Sequence, residues 1–236
     1  MTLHIAVLNK SKHVTTADAV KMTAACARQL RLHAAPAWNR TVPGVAFVAD
    51  DAHLLPGTRP IYIFDNADVA GALGYHDVTA TGVPYGKVFA ETILQNHGTV
   101  LTGSSSVSVC LSHEMLELFG DEFCNAYQQA NDGYSYAVEL GDPVENDSYV
   151  LSGTGVSVSN FVLPAYFAQT PEDGARFDHM GRLAAPFTMT AGGYLIRMRD
   201  GKVGQIYGES YPTWRLPGKQ HPAARSARRM AAGSLA

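Results

Sequence analysis

Apolar residues return at helical spacing in two stretches of this chain. In the first, Ala19, Val20, Met22, Ala25, Cys26 and Leu30 carry the period, and Thr15-Thr16-Ala17-Asp18 supplies a helix start before them. The spacing predicts a helix from Ala17 to about Leu32, closed by Pro36 and Pro43. The second stretch is Val107-Ser-Val-Cys-Leu-Ser-His-Glu-Met-Leu-Glu-Leu-Phe-Gly120. Ser104–Ser106 provides N-cap candidates for it, and Gly120 is a natural residue to follow its end.

Short runs of strand character surround these helices: residues 3–8, Val45-Ala-Phe-Val-Ala, and Arg59–Phe64. The Gly-rich segment 71–95 reads as short strands joined by turns, with Pro84 marking an edge strand among them. Residues 121–160 read as irregular. Further on, Pro164–Phe167 predicts a short helix, and Asp200-Gly201 predicts the turn of a hairpin. Strand, helix, strand in this order implies an α/β (α+β) fold, a mixed sheet with the 107–120 helix against it. Residues 1–218 read as a single domain. Residues 219–236 read as a flexible basic tail, with Arg225, Arg228 and Arg229 as an interaction arm.

Composition narrows the function classes. A chain of 236 residues with 46% hydrophobic and 17% charged residues is that of an ordinary globular protein. A net charge of −3 gives no electrostatic case for nucleic acid outside the basic tail. The three cysteines lack paired spacing and point to a reducing compartment. The apolar run at the N-terminus is too short for a signal peptide, and no run is long enough for a membrane span. The expected location is the cytoplasm, or a virion if the protein is phage-encoded.

The chemistry lies in His113-Glu-Met-Leu-Glu117. Residues four apart share a helix face, so His113 and Glu117 point the same way, with Glu114 to the side. Zinc hydrolases build this arrangement as His-Glu-x-x-His, two ligands and a general base from one helical turn. Here a glutamate replaces the second histidine. A third metal ligand is offered by Glu139-Leu-Gly-Asp142, with Glu139 the first choice, Asp142 close behind and Asp121 a further option. Glu114 is then the candidate general base, and Tyr127, Tyr134 or Tyr136 offers a hydroxyl to a developing oxyanion. A carboxylate-rich site would hold Zn2+ less selectively against Mn2+ or Ca2+.

The same stretch resembles the zincin metallopeptidases, with HExxE in place of HExxH. A longer pattern joins Ser112–Asp121, Asn125-Ala-Tyr127, Glu139-x-x-Asp142-Pro-Val-Glu145, Val158–Val162 and Pro164–Phe167. It is similar to uncharacterised bacterial and phage proteins and, more distantly, to the Exordium, or phosphate-induced, family. The resemblance implies a zincin-like catalytic domain and a zinc metallopeptidase acting on a peptide or protein. His113 and Glu117 would be ligands, Glu139 or Asp142 would complete the site, and Glu114 would be the base. The metzincin extension is missing, and only Met180 stands where a Met-turn would be sought.

Plainer readings compete with each residue. The motif helix can be amphipathic, with a solvated glutamate face and a satisfied histidine. The competing function is a non-enzymatic, metal-stabilised binding or structural protein, such as a phage virion or assembly component, on a degenerate zincin fold. Asp121 is expected to cap local backbone, Asp142-Pro143 to start a turn, and Glu145 and Asp147 to be solvated. His76 is expected on a surface turn, and His97 and His179 show no partner pattern.

Overall fold

The computed structural model describes residues 2–215. The basic tail therefore lies outside the described residues. The first sheet has five strands, β1 (His4–Asn9), β2 (Gly44–Phe47), β3 (Arg59–Phe64), β4 (Gly74–Val78) and β5 (Pro84–Phe89), in the order β2-β1-β3-β5-β4. The first four in that order run parallel, and β4 is an antiparallel edge strand, with His76 opposite Gly86. Pro84 begins the interior strand β5, a position that tolerates a missing N–H. The edge it was expected to mark belongs to β4 instead.

Helix α1 (Thr16–Gln29) starts at Thr15, whose hydroxyl accepts from the Asp18 amide. A π-helical turn (Leu30–Ala34) and the short α2 (Ala35–Ala37) extend it. After α3 (Ala90–Gln95) comes the motif helix α4 (Val107–Gly120), capped by the Ser106 hydroxyl on the Val109 amide. Gly120 is still helical, and Asp121 is the cap residue. Helices α1 and α4 touch each other and both pack on the sheet, so they share one of its faces.

Residues 121–160, expected to be irregular, form β6 (Tyr127–Gln129), β7 (Ser135–Ala137), β8 (Ser148–Leu151) and β9 (Val156–Ser159). These strands are too short for alternation to be read from the sequence. Strands β8 and β9 form a hairpin, and β9 lies against both α4 and α1. Strands β10 (Tyr194–Arg199) and β11 (Lys202–Tyr207) join β7 and β6 in an antiparallel sheet, order β11-β10-β7-β6. Their turn has positive φ at both Asp200 and Gly201, the type I′ geometry that pair predicts.

The main core joins Ile61, Ile63 and Val88 of the sheet to Met22, Cys26 and Leu30 of the first helical segment, Leu111, Met115 and Leu118 of α4, and Val156 and Val158 of β9. Each such side chain contributes roughly 1.5–3 kcal/mol when fully buried. Val20, counted in the apolar period of α1, faces solvent instead. Because sheet, α1 and β9 surround α4, nearly every residue of that helix is buried. A solvated glutamate face on it is thereby excluded. Among the described residues, no helix is long and apolar enough to cross a membrane.

Candidate metal centre

Polar links fix the orientation of α4. The Ser112 hydroxyl donates to Gln29 of α1 (2.6 Å) and accepts from the Ser159 amide of β9 (3.0 Å), while the Gln29 amide donates to the Ser159 carbonyl (2.7 Å). With the helix held from two sides, the next residue, His113, points toward the segment that follows β7. There Asp142 begins a 3-10 turn (Asp142–Val144).

Nε2 of His113 lies 2.9 Å from Glu117 Oε1 and 3.2 Å from Asp142 Oδ1. Gly141 makes this approach possible, because a Cβ there would stand 2.4 Å from His113 Nδ1. Gly74 of β4 does the same for the base candidate, since a Cβ on it would meet Glu114 Oε1 at 2.7 Å. Glu139 is also buried beside this group.

His76 was missed by the sequence reading. It is fully buried in β4 rather than on a surface turn, with Nδ1 at 2.8 Å from Glu117 Oε2 and Nε2 at 3.1 Å from the Asp121 carbonyl. Strand alternation turns its ring inward from β4 toward α4. The available signal was the glycine spacing around it: Gly74 on its own strand and Gly86 directly across. Asp121 performs the local role expected of it, its carboxylate accepting from the Ala126 amide (2.8 Å).

These residues form two groups whose potential ligand atoms all lie within 4.8 Å of one another: His113, Glu114 and Glu117; and His76, Glu117 and Glu139. Asp142 stands outside both groups but meets His113. Its Oδ2 is buried and has no hydrogen-bond partner among the described residues. Burial works against a charge on His113, but Glu117 and then Asp142 overturn that, so its pKa stands well above the usual histidine value. Burial and then repulsion from Glu117 push the Asp142 carboxyl well above its ordinary range. Imidazole with carboxylates is a donor set that suits a divalent cation, and an orphaned buried carboxylate oxygen fits the same need.

A cleft with about 640 Å3 of empty space, part of it open to solvent, reaches His113 and Glu114 between α4 and the start of β4. Its walls include Leu73, Gly74, Val109 and Cys110. The Cys110 thiol is pushed far up by burial and then by Glu114, which keeps it protonated and non-nucleophilic.

Glu145, expected in solvent, is mostly buried at this cleft and ion-paired with Arg215; Asp147 is half-buried near Arg182. The tyrosine at the cleft is Tyr194 of β10. Of the three considered, Tyr136 donates to Asp132 (2.7 Å) and Tyr134 lies under the Arg197 guanidinium. The Asp178–Gly181 turn containing Met180 is tied to Asn160, through the Met180 amide and the Asn160 side chain. Comparisons with family models, with curated proteins and with solved structures give no match.

Proposed function

We propose that the protein is a metal-dependent hydrolase of zincin-like construction, acting on a peptide or related amide. One observation carries this reading: Glu117 and Asp142 converge on a single histidine nitrogen, and Glu114 lies beside it on the wall of a cleft. His113, Glu117 and Asp142 would hold a divalent ion, Zn2+ or a harder ion such as Mn2+ or Ca2+. Such an ion supplies Lewis acidity and a lowered water pKa. Glu114 takes the proton of the attacking water and passes it to the leaving amine. The walls of Leu73, Gly74 and Val109 orient an extended chain along the start of β4, where a strand edge can pair with it. The burial of α4 places the ligand carboxylates in low-dielectric surroundings, which strengthens the electrostatics there.

The test is Glu114→Gln in zinc-loaded protein, assayed on unfolded protein substrates with metal content measured in parallel. The expected result is a loss of about 100-fold or more in cleavage, with metal retained. Cleavage at the wild-type rate by the variant would remove Glu114 from the mechanism.

A second reading, a metal-stabilised binding or virion component, is favoured by one specific feature. Arg215 and Glu145, both lining the cleft that reaches Glu114, are tied up in an ion pair with each other. That reading stands if the metal-loaded wild type cleaves nothing while His113→Ala lowers the melting temperature.

A further inference from the structure

We infer that the cluster is a dinuclear centre, in which Glu117 bridges two divalent cations and His76 with Glu139 holds the second. The inference rests on the reading of His113 and Glu117 as metal ligands, and extends it to residues that reading leaves unused.

The geometry of Glu117 is the first support. Its two carboxylate oxygens face different histidines, Oε1 toward His113 at 2.9 Å and Oε2 toward His76 at 2.8 Å. Ligand atoms about 2.0–2.2 Å from one ion stand no more than about 4.4 Å apart. Among the described residues, the two histidines fall in separate ligand groups that share only Glu117. A carboxylate with one oxygen toward each imidazole is placed to bridge two ions.

The tautomer of His76 is the second. The Asp121 carbonyl can only accept, so His76 Nε2 carries a proton. Nδ1 is then the ring nitrogen that faces Glu117, 2.8 Å from its Oε2. An N–H donated to a main-chain carbonyl is also the usual way a metal-binding histidine has its ring fixed.

The supply of ligands is the third. Glu114, Glu117, Glu139 and Asp142 are all buried, enough acidic ligands to balance two divalent ions. Paired ions about 3.5–4 Å apart are a recurring device for stabilising both the attacking and the leaving oxygen in hydrolysis.

The experiment is metal stoichiometry of the full chain loaded with Mn2+ and freed of excess ion, with electron paramagnetic resonance on the same samples. Wild type is expected to hold two equivalents with the spectrum of exchange-coupled ions. His76→Asn and the isosteric Glu139→Gln are each expected to halve the content and leave an isolated-ion spectrum. The wild-type spectrum needs no variant, so a misfolded substitution does not decide the matter. One equivalent in wild type, with an uncoupled spectrum, would overturn the dinuclear inference and leave the single-ion reading intact. No bound Mn2+, with none bound from Zn2+ either, would overturn both.

Discussion

Asp178 and Glu117 are equally inaccessible to solvent, yet their surroundings differ in kind. Asp178 accepts from the Asn160 side-chain amide (2.7 Å) and from the main-chain amides of Met180 (2.9 Å) and Leu183 (2.7 Å). It is a buried carboxyl group satisfied by neutral donors fixed by the fold, and it holds the 178–183 turn closed. Glu117 instead stands between two imidazoles, with Glu114 and Glu139 in reach of the same points. A carboxylate that organises backbone is surrounded by N–H groups. One that organises a cation is surrounded by other ligands.

Four substitutions or conditions would break or sharpen that contrast. The largest effect is expected from Asp178→Ala, which orphans buried donors at about 1–3 kcal/mol each. The loss should total several kcal/mol in denaturant melts and be the same with and without chelator. A chelator-dependent loss would mean that Asp178 belongs to the metal-linked network.

Glu117→Gln should cost different amounts in two states. With metal present it should lower stability by about 2–3 kcal/mol more than without it, the linkage expected from losing an ion supplied at roughly 100 times its dissociation constant. After chelation the loss of its pairing with His113 is offset by removing a negative charge from a crowded carboxylate group. Equal destabilisation in both states, measured by thermal melts, would make Glu117 a structural residue like Asp178.

Gly141→Ala is next, at about 1–3 kcal/mol for forcing a methyl group against the His113 ring. It should also lower metal content, which overpacking elsewhere would leave alone.

The smallest effect is the pH dependence of the metal-free protein. His113 has a raised folded-state pKa, so its stabilising contribution is complete below about 6.5 and is lost as pH rises through the raised value. Asp142 is also raised. Its neutral form is the better tolerated one, so its cost enters as pH climbs from the ordinary carboxylate range through its raised value. Both signs agree: chelated protein should lose stability as pH rises through neutrality. Metal-loaded protein should not, because deprotonated ligands bind the ion more tightly. Parallel curves for the two forms, from melts between pH 5 and 9, would count against a shared site.

Much of this was legible in the sequence, and the limits have physical causes. The apolar period, Thr15 and Ser106 gave both long helices their starts, and Asp200-Gly201 gave the hairpin its turn. His113, Glu114 and Glu117 are readable because one helical turn fixes their relation. Glu139 and Asp142 are readable as an acidic pair, though only folding shows that both are buried beside the motif. The fully buried character of α4 could also have been read, since Val107, Leu111, Met115, Leu116 and Phe119 leave no polar face wide enough to be solvated. His76 was hidden because its place depends on which strand is the edge and which face of it meets α4. Those are long-range choices that strand alternation alone does not encode. Glu145 was misread for a similar reason: its partner, Arg215, comes from the far end of the described chain.

The most direct test of the account is metal analysis of protein purified without chelator, beside a His113→Ala control prepared in the same way. The account predicts a stoichiometric divalent metal in the wild-type chain and its loss in the control. Equal and negligible metal in both, with unchanged melting temperature on adding Zn2+ or Mn2+, would contradict it.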